Sequence, residues 1–310
     1  MASEHLPVLT DRVVEFLSPA APGLIIDATV GLGGHAGALL WEKSDFRLVG
    51  LDRDPRALAR AGERLRVFGD RVRLVEEAFD QLPAVIERLG LEPPTVVLAD
   101  LGCSSLQLDD PERGFSFQSD GPLDMRMGEQ GPTAADLLES VEWVELVKIL
   151  RDFGEERRAG AIARAIIKRR EHAPLRTTAE LSRLVQGVLG DHRGRIHPAT
   201  RTFQALRIAV NDELGQIERF LEPAVRALRP RGRIGIIAFH SLEDRIVKHT
   251  FRRLAGRCTC PSGLPVCRCN PQRVITVLTS SPLRPGDDEV ARNPRSRSAR
   301  LRVAERREES

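Results

Sequence analysis

Residues 27–40 read DATVGLGGHAGALL: a carboxylate, a cluster of glycines and then an apolar helical pattern. That order describes a strand end, a tight turn and a helix start. Gly31, Gly33 and Ala36 fit the spacing G-x-G-x-x-G/A of dinucleotide-binding turns. In such turns the diphosphate rests on the N–H groups of the helix N-terminus, favoured by the helix dipole. Asp27, just before the loop, would set a negative charge beside that diphosphate. S-adenosylmethionine has no phosphate and carries an ammonium, a sulfonium and a carboxylate beside its adenosine. The loop amides suit its carboxylate, and a carboxylate ahead of the loop suits its cationic part. Asp27 thus favours S-adenosylmethionine.

On both sides of this loop, apolar runs alternate with helical patterns. LIIDAT (24–29), RLVGLD (47–52), VRLVE (72–76) and TVVLAD (95–100) read as strands. Asp54-Pro55 caps and starts one helix, and DQLPAVIERLG supplies another. Strand and helix alternating at this spacing predict right-handed βαβ units and a parallel sheet. Ligands of such sheets bind beyond the C-terminal strand ends, where Asp27, Asp52 and Asp100 fall. Asp52, 21 residues after Gly31, is placed to accept from both ribose hydroxyls of either cofactor class. Phe79, after the third strand, can cover an adenine face or serve the core.

After Asp100 the alternation stops. LGCSSLQLDDPERGFSFQSDGPLDMRMGEQGP has the length of a lid or binding loop. Helical patterns follow at about 134–153, 156–172, 178–189 and 199–228, and Thr177 with Glu180 forms a capping box for the third. RPRGRIGIIAFHS (229–241) reads as a turn and a returning buried strand, with SLEDRIVKHTFRRL as its helix. VITVL (274–278) and ARLRVAE (299–305) are expected to close the sheet as an edge pair. The expectation is one α/β domain, residues 1–104 and 206–310, interrupted by a loop and helical insertion at 105–205.

The chain is 41% hydrophobic and 29% charged over 310 residues, enough for a sizeable core. No apolar run approaches the roughly 20 residues that cross a bilayer. The N-terminus lacks the basic-then-apolar pattern of a signal peptide, so a cytoplasmic protein without membrane contact is expected. The net charge of +3 conceals a split. Residues 1–150 hold 14 Lys and Arg against 26 Asp and Glu, while residues 151–310 hold 33 against 18. The basic half points to a polyanion, nucleic acid before membrane. Residues 192–211 contain Arg193, Arg195, Arg201 and Arg207 with no acidic residue, and 292–307 hold seven arginines against one glutamate. Arginine forks phosphate and stacks on splayed bases, which makes Arg201, Arg207, Arg295, Arg297 and Arg300 candidate RNA contacts. Aromatics are only 4%, with no Tyr, so folded RNA or a ribosomal particle fits better than a generic single strand. In CTCPSGLPVCRC, Cys258, Cys260, Cys267 and Cys269 form two C-x-C pairs. Four thiolates suit a structural zinc, but the pairs lack the common C-x-x-C spacing, so a metal and plain reduced thiols both stay open.

HLPVL, DATVGLGGHA, DLGCSSLQLDDPERGFSFQSDGPLDMRM, FGEERRAGAIARAI, TRTFQALRIAVNDEL, FHSLEDRIVK and NPRSRSARLR run almost end to end. Through these blocks the chain resembles the MraW/RsmH family, bacterial methyltransferases that modify N4 of a cytidine in 16S rRNA. The resemblance implies a Rossmann-like class I methyltransferase domain with an inserted helical domain for substrate recognition. It also implies S-adenosyl-L-methionine as cofactor, and as partner 16S rRNA in the small ribosomal subunit or an assembly intermediate. Carried over by position, the cofactor contacts are Gly33, Gly34, His35, Asp52, Phe79, Asp100 and Gln107. A lone His at a helix start is otherwise a surface residue.

Cytosine N4 is a poor nucleophile because its lone pair is delocalised into the ring. Direct transfer needs that nitrogen aligned with the methyl–sulfur bond, about 3 Å away, in a site that excludes water. An acceptor for an N4 hydrogen helps rehybridise the nitrogen. Asp100 is the candidate catalytic acceptor, although the same carboxylate also suits the cofactor. Many amino-methyltransferases place Asn or Asp, two prolines and an aromatic at this strand end. This chain has Asp100-Leu-Gly-Cys-Ser-Ser105 instead, without the stacking aromatic. Ser104 and Ser105 either orient the base or cap the loop, and Cys103, with no evident base, reads as a small buried residue. Two other classes stay open on the residues alone. An NAD-dependent oxidoreductase explains the glycine spacing but not Asp27 or the basic half. A non-catalytic RNA-binding assembly factor explains the charge but leaves the strand-end carboxylates idle.

Overall fold

The computed structural model describes residues 7–190, 197–258, 260 and 272–308. Helix and strand alternate first, as α1 (Thr10–Leu17), β1 (Gly23–Asp27), α2 (Gly34–Glu42), β2 (Phe46–Asp52), α3 (Pro55–Leu65), β3 (Val72–Glu76), α4 (Leu82–Leu89) and β4 (Val96–Asp100). A helical stretch follows: α5 (Ser105–Asp109), α6 (Ala134–Ser140), α7 (Trp143–Asp152), α8 (Ala159–Arg170), α9 (Thr178–Leu189), α10 (Thr200–Asn211) and α11 (Glu213–Ala227). Then come β5 (Arg233–Ala238), α12 (Ser241–Leu254), β6 (Ile275–Val277), α13 (Asp287–Arg292) and β7 (Arg300–Arg306).

The seven strands form one sheet in the order β3-β2-β1-β4-β5-β7-β6. The first five are parallel, and β7 and β6 add antiparallel. The expected edge pair forms, with β7 inside and β6 outermost. The order reverses between β1 and β4, which opens a crevice at their C-terminal ends. Both faces of the sheet's centre are covered, so β1, β4 and β5 are near-continuous apolar runs rather than alternating. Leu24, Ile26, Val97 and Ile236 pack against Val85, Phe220, Leu221 and Phe251. Ile25, Leu48, Leu98 and Val303 pack on the other face against Val13, Leu17, Leu39 and Leu65.

Two compact units divide at Gly102/Cys103 and again at Glu213/Leu214. The insertion therefore closes eight residues beyond the expected 205. Phe203, Ala205 and Leu206 of α10 are buried in the insertion's own core with Leu146, Leu150, Ile162, Ile166 and Val185. The helical patterns are also more broken than periodicity implies. Asp212, at φ 48°, ends α10 and splits the expected 199–228 helix. Val141 is extended (ψ 138°) and separates α6 from α7, and Glu155, at φ 49°, precedes the later start of α8. Thr177 and Glu180 make the expected capping box. Among the described residues no helix is long and apolar enough to cross a membrane.

Candidate cofactor and catalytic site

The crossover from β1 to α2 builds the glycine loop. Gly31 and Gly33 lie at φ 51° and 74°, a region that costs an L side chain about 1–2 kcal/mol. A Cβ on Gly33 would stand 3.0 Å from Leu65 Cγ, and one on Gly34 would stand 2.8 Å from Pro7 Cγ. The loop is thus held close to its neighbours, with the first N–H groups of α2 uncommitted to the helix ladder. The Gly31 N–H donates to Asp52 Oδ2 and the Asp54 N–H to Asp52 Oδ1, both at 2.9 Å. Each oxygen keeps a second lone pair, so the carboxylate is preset to accept from a diol. Burial pushes the Asp52 carboxyl above its usual range, and the two backbone donors oppose that shift.

Asp27 is buried at the end of β1, where its Oδ1 accepts from the Thr29 N–H at 3.2 Å. Thr29 Oγ1 in turn accepts from the Asp100 N–H at 2.6 Å, tying β1 to β4 where the strand order reverses. His35 is buried in the first turn of α2, not on the surface, with Nε2 3.5 Å from Asp100 Oδ2. Both ring nitrogens and Asp100 Oδ1 lack a hydrogen-bond partner among the described residues. A buried polar atom left this way costs about 1–3 kcal/mol unless a ligand satisfies it. Burial pushes the Asp27 carboxyl up to about 7; His35 opposes the shift, and Asp100 and Asp52 add to it. The crevice therefore gathers three carboxylates beside a helix N-terminus. That donor set fits a ligand with a cationic centre, a diol and a carboxylate, and S-adenosylmethionine carries all three.

Phe79 is half-buried in the turn after β3, edge-to-face on Phe220 with centroids 5.2 Å apart. Its neighbour Asp80 pairs with Arg219 at 2.9 Å. The expected set of Gly33, Gly34, His35, Asp52, Phe79 and Asp100 thus belongs to the sheet unit. Gln107 belongs to the insertion, where it completes a capping box. Its Oε1 accepts from the Ser104 N–H, and Ser104 Oγ accepts from the Gln107 N–H. Gln107 Nε2 also donates to the Met127 carbonyl at 3.3 Å. Ser104 is accordingly a helix cap.

The arginines separate into two kinds. Arg207 holds both oxygens of Glu213 at 2.8 Å and donates to Cys103 Sγ at 3.3 Å. Expected on a phosphate, it is instead a partly buried fork inside the insertion, with its side chain only 18% exposed. Burial pushes the Cys103 thiol up, in line with a packing role. Arg300 is half-buried, 3.6 Å from Asp244, which also binds Arg302. Arg201, Arg295 and Arg297 are exposed, and Arg201 donates to the Glu155 carbonyl. Arg193, Arg195, Cys267 and Cys269 lie outside the described residues, and the question of a metal on the four cysteines lies there too.

Two features escaped the sequence reading. Thr29 could have been found as a hydroxyl two residues after a strand-end carboxylate. His240 and Glu243, past the end of β5, form an imidazole–carboxylate pair at 3.1 Å. Glu243 Oε2 accepts from the Phe239 and His240 N–H groups. Their three-residue spacing at a helix start was the available signal.

A profile of the MraW methylase family matches residues 2–307. The protein named ribosomal RNA small subunit methyltransferase H from Geobacter sulfurreducens is 51% identical over 310 residues, spanning 99% of this chain and 100% of its own. The proteins of that name from Trichlorobacter lovleyi and Symbiobacterium thermophilum are each 50% identical over 307 residues. They span 97% and 98% of this chain and 98% and 96% of their own lengths. The solved structure of an rRNA methylase from Streptococcus thermophilus aligns with 96% of this chain and 94% of its own at a TM-score of 0.43 and 12% identity. That likeness is too slight to bear on function.

Proposed function

This chain belongs to the MraW methylase family, and from that premise we propose that it methylates N4 of a cytidine in 16S rRNA. S-adenosylmethionine is its methyl donor. The acceptor RNA is the small ribosomal subunit or an assembly intermediate, and the reaction belongs in the cytoplasm. The observation that carries the reading is the cluster of buried Asp27 and His35 with half-buried Asp100, its nitrogens and one oxygen orphaned, at the reversal of strand order.

S-adenosylmethionine supplies a methyl group already activated on a sulfonium, so the chain's task is to bind, orient and accept a proton. The Asp27 carboxylate meets the cationic end, and the N–H groups at Gly34 and His35 meet the carboxylate, while Gly33, its own N–H donated to the Val30 carbonyl, shapes the turn. Asp52 accepts from the ribose hydroxyls, and Phe79 supports the adenine. The Asp100 carboxylate takes a hydrogen bond from N4 and receives the proton that N4 sheds as its bond to carbon forms. His35 Nε2 stands 3.5 Å from Asp100 Oδ2. Gln107 is a further cofactor contact on the family resemblance alone. Residues 103–213 recognise the RNA, with Arg201 there and Arg295, Arg297 and Arg300 in the sheet unit contributing charge.

The test is nucleoside mass spectrometry of unmodified small subunits after incubation with the chain and methyl-labelled S-adenosylmethionine. N4-methylcytidine is the expected product, and label only on ribose, on a ring carbon or on protein overturns the reading. At saturating cofactor, Asp100→Ala should lose about 10²-fold or more in kcat, the scale of a positioned acid–base group. Full turnover by that variant would remove Asp100 as acceptor and leave the methyltransferase standing.

A further inference from the structure

The inserted unit carries a cleft that the reaction above does not use. Trp143 at the start of α7 lines it, with Arg164, Ile167, Lys168 and Glu171 from α8 and its C-terminal end. It is shallow and open to solvent, with a volume of about 480 Å³. Trp143 is 42% exposed, whereas Leu146, Ile149 and Leu150 of the same helix are buried. The insertion's core is complete without this indole. Arg164 and Lys168 stand four residues apart on α8 and so share one face. Both are exposed, and among the described residues neither has an ion-pair partner.

An aromatic plane, two uncommitted cations and one carboxylate match the parts of a single nucleotide. The base stacks on the indole, the phosphate lies between guanidinium and ammonium, and Glu171 accepts from a base amino group. An apolar peptide would leave both cations without a counter-charge. Glu142 and Glu145, exposed on either side of Trp143, disfavour a phosphate backbone running along α7. The contact is therefore one splayed nucleotide and not a continuous track.

We propose that this cleft binds one unstacked nucleotide of the RNA substrate, its base on Trp143 and its phosphate between Arg164 and Lys168. The identity of that RNA rests on the reading above. The chain has two tryptophans, so Trp41→Phe leaves Trp143 as the sole reporter. Naked 16S rRNA should quench its fluorescence, and Arg164→Gln with Lys168→Gln should weaken the quench. With small subunits as substrate, Trp143→Ala should raise KM by about 5- to 150-fold. Turnover at saturating substrate and cofactor affinity should stay unchanged, and Trp143→Phe should restore most of the loss. No quench together with an unchanged KM overturns the proposal. A quench produced by small-subunit proteins free of rRNA, and not by naked rRNA, overturns it in favour of a protein partner. Failure of the methyltransferase reading looks different: the quench and its loss in the variants persist, while no N4-methylcytidine forms.

Discussion

Asp27 couples the site to pH. Its folded carboxyl titrates at about 7 against 3.8 in the unfolded chain, because burial penalises the charge. Between those values the folded state holds the extra proton, so this group's effect on stability becomes more unfavourable as pH rises. The penalty is absent below about pH 4 and complete above about 7. Asp27→Asn should therefore raise the Tm of the ligand-free chain at pH 8 and barely change it at pH 4, as read by scanning calorimetry. A bound cation reverses the preference. Cofactor binding should weaken as pH falls below 7 and release a proton there, measurable by titration calorimetry in buffers of different ionisation enthalpy. Equal proton release at pH 6 and pH 8.5 would remove Asp27 from the cationic end. Asp52 acts by geometry, each oxygen fixed by one backbone donor. Asp52→Ala loses charge-assisted hydrogen bonds of about 1.5–3 kcal/mol, a roughly 10- to 150-fold loss of cofactor affinity. Unchanged affinity in a folded variant would free Asp52 from the ribose. Both aspartates were legible as strand-end carboxylates. The burial of His35 was not, because a helix-start position has no side fixed by sequence until its neighbours are packed.

The element that matters most is the turn from β1 into α2. Gly33→Ala forces a Cβ into the left-handed region and against Leu65. It should cost about 1–2 kcal/mol in urea denaturation and weaken the cofactor. Gly160, inside α8, has nothing within 4 Å of an added Cβ. Gly160→Ala should therefore stabilise by up to about 1 kcal/mol. Equal effects at the two positions would show that the loop conformation is unimportant. The central strands were legible because a sheet covered on both faces demands continuous apolar runs. The helix breaks at Val141 and Asp212 were not. Neither residue is a local breaker, and the periodic pattern continues through both positions.

Across the whole molecule, exposure divides the arginines of the basic half into those at the surface and those that hold the fold. Arg295 and Arg297 are exposed. Replacing both with Gln should flatten the salt dependence of RNA binding by about 1.4–1.8 in log–log slope, with cofactor affinity unchanged. Arg207→Gln should act otherwise, leaving Glu213, whose side chain is 6% exposed, without its fork. A loss of about 3–5 kcal/mol in stability is expected there, visible as a lower Tm. An unaltered salt slope in the first variant would return those arginines to a purely structural role. The sequence by itself determined the parallel sheet, the glycine loop, the strand-end carboxylates and the presence of a helical insertion. These follow from requirements met within a few consecutive residues: apolar runs for buried strands, glycine where φ is positive, and helical periodicity. Only the tertiary structure decided that Thr29 latches β4, that His35 lies beside Asp100, that Arg207 serves Glu213 and that Trp143 stays in solvent. Each depends on which residues distant in the chain meet after packing, and local patterns carry no record of that choice.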